Sequence, residues 1–280
     1  MAKHVNHVQP GAFPASWYAG NPDGTNQAQF QVHAYNDNFY ILRQAAFTNY
    51  EKPFLYLLFG ANRAILFDTG AGGVEVAAAV TGVIDSWLKR NTRASIPLVV
   101  AHTHADSDHV AGDAQFANRT GVTLVGKDTA SVQAFFGIAE WPAGSATYDL
   151  GNRVLDILPI PGHEASSIAV YDRQTQVMLT GDTFYPGRLY VRDGVAFSNS
   201  IQRLVDFSAQ HPVAHFLGTH IEQSATPFKD YEVGTIDQPD EYVLQLTRAH
   251  LVELNDALSV MGRNVVRTLL PRLTVWPVTR

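Results

Sequence analysis

The sequence predicts an α/β fold, and three observations carry the prediction. Unbroken apolar runs of strand length, at 54–60 and 96–101, read as buried strands. Between them, residues 74–91 carry Val76, Val80, Val83, Ile84, Trp87 and Leu88 at helical spacing, so strand, helix and strand follow one another as in α/β architectures. A composition that is 46% hydrophobic and 11% aromatic over 280 residues is ample for a sizeable core.

Each element has its own reason. Residues 1–28 contain Pro10, Gly11, Pro14, Gly20, Pro22 and Gly24, which prevent a long regular element and leave an irregular lead-in. His4 and His7 within it read as solvated. Alternation at 29–35 and the run at 39–43, around Asn36-Asp37-Asn38, predict a hairpin. A second pair, 54–60 and 63–67, ends in Asp68-Thr69-Gly70. After the strand at 96–101 come a short helix at 111–118, a strand at 122–125, a helix at 129–136 and a loop at 139–146. A strand at 153–160 precedes a hairpin of 168–171 with 176–179, followed by a helix at 198–210 and a strand at 213–217. Residues 221–239 read as a polar loop. Residues 242–261 have the spacing of an amphipathic helix, and 265–278, with Pro271 and Pro277, read as an edge or irregular cover.

The chemistry is concentrated at 99–112, V-V-A-H-T-H-A-D-S-D-H-V-A-G, which puts His102, His104, Asp106, Asp108 and His109 within eight positions after a buried strand. Imidazole nitrogen and carboxylate oxygen are ligands that cations such as zinc accept. The plainer reading is a polar loop in which Asp108 caps a helix starting near Val110. Capping accounts for one carboxylate and leaves the histidines and the second aspartate without a reason. His163 in P-G-H and Asp182 in G-D-T also follow strands and could converge on the same sheet edge. Taken singly, they read equally well as a loop histidine and a turn aspartate. His211, His215 and His250 read as cap, strand and mid-helix positions.

Other chemistries are poorly supported. The chain has no cysteine, hence no disulfide, thiolate metal site or cysteine nucleophile. It contains no G-x-S-x-G elbow, no phosphate-binding G-x-x-x-x-G-K-[ST] loop and no H-E-x-x-H helix. A net charge of −6 argues against nucleic acid as a partner. The amino terminus lacks an apolar signal core and no run approaches a membrane span, so the expectation is a cytoplasmic protein without membrane contact.

The segment 99–112 resembles the H-x-H-x-D-H loop of the metallo-β-lactamase superfamily. Anchoring on Asp108-His109-Val110-Ala111-Gly112 aligns His104 with the first histidine and Asp106 with the second, so a carboxylate stands where the family has an imidazole. A second register pairs His102 with His104 and takes Asp106 as the aspartate, but it breaks the adjacent Asp-His pair. The first register is preferred and leaves His102 at a strand end. The stretch F-L-Y-L-L-F-G-A-N-R-A-I-L-F-D-T-G resembles the family's opening hairpin, whose D-T-G-like turn supports the ligand loop.

The resemblance implies an αββα sandwich of two mixed sheets flanked by helices. It forms one domain over 1–280, with the C-terminal helix and tail, 230–280, packed on it. It also implies a metal set of His104, Asp106 and His163 at one ion and Asp108, His109 and His220 at another, with Asp182 bridging. His220, in G-T-H after a late strand, takes the last ligand position. Asp108 and Asp182 become the catalytic positions. The cofactor is one or two Zn2+ ions, with Mn2+ or Fe2+ favoured by the harder ligand Asp106. The implied function is a hydrolase of a small molecule with an ester-like bond (lactone, thioester or phosphoester), attacked by metal-activated water. Two alternatives stand beside it. One is a glyoxalase II-like or sulfur-oxidising enzyme, and the other a non-catalytic binding protein with an altered metal site.

Overall fold

The structure is a computed structural model that describes residues 8–17 and 28–278; His4 and His7 lie outside the described residues. Its first half forms a six-stranded sheet of β1 (Phe30–Asn36), β2 (Phe39–Gln44), β3 (Phe54–Phe59), β4 (Ala64–Phe67), β5 (Leu98–Ala101) and β6 (Val122–Leu124), in that order. The strands are antiparallel up to β4 and parallel from β4 to β6, because α1 (Val76–Arg90) carries the chain back before β5. Helices α2 (Ser107–Val110) and α3 (Thr129–Phe136) follow β5 and β6.

The second half repeats this plan. Strands β7 (Ala146–Asp149), β8 (Val154–Pro159), β9 (Ile168–Asp172) and β10 (Val177–Gly181) form an antiparallel meander. The chain then runs through β11 (Arg188–Val191) and α4 (Gly194–Gln210) to β12 (His215–Gly218), which lies parallel to β10. The sheet order is β13-β12-β10-β9-β8-β7, with β13 (Gln245–Leu246) at the edge beyond β12. Helix α5 (Arg248–Met261) packs against α4.

The two-residue period of the strands explains the layers. In β3, Phe54, Tyr56 and Leu58 join Ile157, Val170 and Leu179 of the second sheet in a core between the sheets. The alternate residues Leu55, Leu57 and Phe59 meet Val76, Val80 and Trp87 of α1 on the outer face. On the opposite outside, Met178 and Phe216 pack with Ile201, Leu204, Leu251 and Leu254 of α4 and α5. The order is therefore helix, sheet, sheet, helix, and strands apolar on both faces are what that order requires.

Several expectations are corrected. Three sheets form rather than two, because 265–278 supplies β14 (Thr268–Leu269) and β15 (Thr274–Pro277), and β15 runs parallel to β11. Ala146, expected as the last residue of the loop at 139–146, instead opens β7, which pairs with β8. Helix α5 starts at Arg248 instead of 242 because Gln245 and Leu246 complete the edge of β12, and Thr247 with His250 forms a capping box behind them. Helix α4 starts four residues early because the Asp193 carboxylate accepts from the Val195 and Ala196 amides. The helix expected at 111–118 is instead α2, followed by a 3-10 turn at Asp113–Gln115, and Asp108 lies in the first turn of α2 rather than capping it.

Arg153 fastens the halves together. It forks onto Asp172 at 3.1 and 2.6 Å and donates to the carbonyls of Asn38 and Phe59 in the first sheet. Both charges are buried. Arg153→Ala leaves Asp172 uncompensated and is expected to cost about 3 kcal/mol or more, measured as a drop in urea midpoint with unchanged slope.

Candidate metal centre

Four strand ends deliver the chemistry to one edge of the sandwich. After β5 the chain presents His102, Thr103 and His104 and then turns into α2 with Asp108 and His109. His163 lies beyond β8, Asp182 directly after β10, and His220 just past β12. Two glycines permit the close approach. A Cβ on Gly112 would sit 2.4 Å from the Thr69 carbonyl oxygen, and one on Gly162, at φ +135°, 2.3 Å from the Phe197 nitrogen.

Asp68, at the end of β4, organises the ligand loop from beneath. It is fully buried with φ +70°, a left-handed conformation that Asp tolerates better than most residues. Its Oδ1 accepts the Thr103 amide at 2.7 Å, and its Oδ2 accepts the Thr103 hydroxyl at 2.8 Å and His109 Nδ1–H at 3.0 Å. With its hydroxyl proton spent on Asp68, Thr103 Oγ1 accepts from His104 Nδ1–H at 3.0 Å. His163 Nδ1 and His220 Nδ1 each lie 2.8 Å from carbonyl oxygens, of Tyr190 and Glu51. Carboxylates and carbonyls only accept, so all four Nδ1 atoms carry the proton. In the neutral rings, the form that binds a cation, all four Nε2 atoms consequently face the centre as lone pairs.

Asp182 lies between two pairs of these nitrogens. Its Oδ1 is 3.3 Å from His220 Nε2 and 3.7 Å from His109 Nε2, while its Oδ2 is 3.8 Å from His104 Nε2 and 3.7 Å from His163 Nε2. Thr219 Oγ1 donates to Oδ1. Asp108 Oδ2 lies 3.2 Å from both His109 and His220 Nε2. Two groups result, Asp108-His109-Asp182-His220 and His104-His163-Asp182, each with ligand atoms within 4.8 Å of one another. The donor set fits a cation, since His109 and His220 Nε2 face each other at 3.4 Å and His104 Nε2 is buried without a hydrogen-bond partner.

Asp106 stands outside both groups, beside the second. Its Oδ2 is 3.1 Å from His163 Nε2 and 3.6 Å from His104 Nε2. His102 also lies outside them, with Nδ1 4.0 Å from Asp68 and Nε2 3.3 Å from Asp113.

The carboxylates and imidazoles hold each other's charge states. Burial opposes ionisation of Asp182, but His220 and His109 keep its carboxyl well below the usual range, and the same two rings do so for Asp108. Burial opposes protonation of His109, yet Asp108, Asp182 and Asp68 outweigh it and raise its pKa; Asp182 and Asp108 do this for His220. Burial and the neighbouring His109 lower that of His104.

Several supporting residues lie outside the ligand motifs. Tyr185 and Arg188, near the G-D-T turn, tie down the loop beyond His220. Arg188 binds Glu222 at 2.8 Å and Asp230 at 2.7 Å, and the Tyr185 hydroxyl reaches Glu222 at 3.1 Å. Lys52, beside the carbonyl that holds His220, donates to the Thr235 carbonyl at 3.2 Å. A cleft of about 510 Å³ opens next to His163, with Trp141, Pro142 and Pro161 on its apolar wall and Arg192 and Glu164 on its polar side.

The fold and this edge of histidines and aspartates define a metallo-hydrolase-like scaffold, and the comparisons identify it. The family model described as "Metallo-beta-lactamase superfamily" matches residues 53–226, and the chain belongs to that superfamily. A metallo-beta-lactamase from Pontibacter korlensis superposes with a TM-score of 0.55 at 19% identity, over 82% of this chain and 99% of that one. The stereoselective inverting sec-alkylsulfatase from Pseudomonas sp. gives 0.54 at 14% identity, over 83% of this chain and 42% of that one. Both are likenesses of fold. The hydroxyacylglutathione hydrolase of Brucella ovis is 28% identical over 106 residues, 37% of this chain and 41% of that protein. The chain thus spans about two fifths of the length of the curated relatives it matches. Among the described residues no helix is long and apolar enough to cross a membrane.

Two outcomes follow. Asp68→Asn turns an acceptor of three bonds into a group with its own N–H donors and is expected to cost about 1–3 kcal/mol, read from urea unfolding. Burial, reinforced by the Arg43 guanidinium, pulls Lys52 down to about 8 from 10.5. Between those values the unfolded chain binds more protons, so stability rises with pH there. Lys52→Met is expected to be more stable than wild type at pH 7, and to lose that advantage as pH climbs through this window in urea titrations.

Proposed function

We propose that this chain is a metal-dependent hydrolase of a small molecule with an ester-like bond, and that a thioester stands first among lactone, thioester and phosphoester. The observation that carries the reading is Asp182, with one oxygen facing His109 and His220 and the other facing His104 and His163. A carboxylate between two pairs of imidazole lone pairs suits a bridging ligand of two cations. His104, His163 and Asp182, with Asp106 beside them, would hold one ion, and Asp108, His109, Asp182 and His220 the other. Zn2+ fits this donor set, as do Mn2+ and Fe2+ given the extra carboxylate. The thioester is favoured because the curated relatives matched over 106 residues are hydroxyacylglutathione hydrolases. That match supports the glyoxalase II-like alternative over a lactonase. Retention of every other ligand position argues against a non-catalytic binding protein.

Bound cations would lower the pKa of a water molecule and polarise the substrate carbonyl. The chain's own groups do the rest. The Asp108 side chain is 20% exposed against 9% for Asp182, so it is the carboxylate positioned to accept a hydrogen bond from the attacking water and orient it. The apolar wall of Trp141, Pro142 and Pro161 seats the body of the substrate and sheds water from it.

Elemental analysis of untagged protein is expected to find close to two equivalents of metal, and protein that takes up none after reconstitution with Zn2+, Mn2+ or Fe2+ refutes the reading. Asp182→Ala is expected to lose metal and to lower hydrolysis more than the roughly 10–100-fold of outer-shell changes. A glutathione thioester should be turned over with higher kcat/KM than lactones or phosphodiesters, and the reverse ranking would move the substrate class while leaving the hydrolase in place.

A further inference from the structure

The departure at position 106 has a partner that only the fold brings to it. Arg192 forks onto Asp106, Nη1 to Oδ1 at 3.0 Å and Nη2 to Oδ2 at 2.7 Å. The oxygen that takes the shorter bond is the one facing His163 and His104. The Arg192 side chain is partly exposed, but the backbone that carries it is anchored. Its own amide and that of Asp193 both donate to the Gly162 carbonyl at 2.9 Å, and the carbonyl two residues before it, Tyr190, holds the His163 ring. The segment 190–193 therefore holds the His163 ring and anchors the backbone from which the guanidinium reaches Asp106.

The charge arithmetic gives the pair a purpose. A neutral imidazole at position 106 would contribute no charge to the half-site, whereas a carboxylate contributes −1. The guanidinium restores the balance without occupying a ligand position, because Arg stays protonated and offers no lone pair. Asp106 alone would over-stabilise a cation, and Arg192 alone would repel one at close range in a partly buried site. We propose that Asp106 and Arg192 act as one neutral unit in place of the family's second histidine, with Arg192 setting how tightly the His104/His163 half-site holds its cation. This deepens the metal-centre reading and rests on it. One consequence is that restoring histidine at position 106 is not a conservative change here, although the sequence pattern suggests that it is.

The test is a double-mutant cycle on Zn2+ affinity, using wild type, D106H, R192Q and D106H/R192Q. Each protein is stripped of metal and titrated with Zn2+ against a chromophoric chelator. D106H is expected to bind its weaker equivalent of Zn2+ about tenfold or more less tightly than wild type, and the double variant to recover wild-type affinity, a coupling in the range of contacting pairs. R192Q alone is expected to bind at least as tightly as wild type. Equal affinity of D106H and the double variant would overturn the proposal. So would tenfold weaker binding by R192Q, which would make Arg192 a strut for Asp106 rather than a charge partner; this arm stands even where D106H fails to fold. Wild type that binds no Zn2+ would refute the metal-centre reading itself, and the proposal with it.

Discussion

The buried carboxylate of Asp68 is the constraint on which the centre depends. It is held at the end of β4 in a left-handed conformation, with three donors on its two oxygens. Those donors are the amide and hydroxyl that shape the ligand loop and the Nδ1–H of His109. Through the Thr103 hydroxyl the same carboxylate also fixes His104. One side chain thus sets the tautomer and aim of an imidazole on each side of Asp182. Main-chain carbonyls from elsewhere in the fold do this for the other two, Glu51 for His220 and Tyr190 for His163. An imidazole anchored at one nitrogen loses less freedom when the other finds a cation, which is why such outer partners matter nearly as much as ligands.

The sandwich supplies the rest of the precision. Both halves run an antiparallel meander into a parallel crossover, so β4, β5, β10 and β12 end on the same edge. Loops there sit on strands that are buried on both faces and cannot shift without disturbing three layers of packing. Arg153 locks the halves in register at the other end of the strands. The segment beyond His220 is tied in turn by Arg188 to Glu222 and Asp230.

Arg192 pairs with Asp106 where the family pattern has a histidine, and in the unit we propose the two charges cancel. A ligand loop can accept a charged residue in place of a neutral one when a second element supplies the opposite charge. That second element, the end of β11, lies 86 positions away in sequence. It reaches the site because it also carries the carbonyl that holds His163.

Much of this was legible in the chain itself. Strands apolar on both faces, the helical spacing of 76–88 and the dense His/Asp segment after β5 are local patterns, and local patterns report burial and donor chemistry directly. His163, Asp182 and His220 could be read because each follows a strand end in a recognisable turn. The sequence was silent where a partner is distant or a backbone atom acts. Nothing in Glu51 or Tyr190 marks its carbonyl as an anchor, and nothing in Arg192 points to Asp106. Edge pairing likewise overrode local preference, drawing 245–246 out of a helical pattern onto β12 and the tail 274–277 onto β11. Donor chemistry and buried faces are properties of side chains and their spacing, so they can be read along the chain, though that reading also put Asp106 among the ligands while the fold leaves it outside both groups. Which nitrogen of each ring faces inward, and what stands against the charge at position 106, depend on atoms brought together across the whole chain and emerge with the fold.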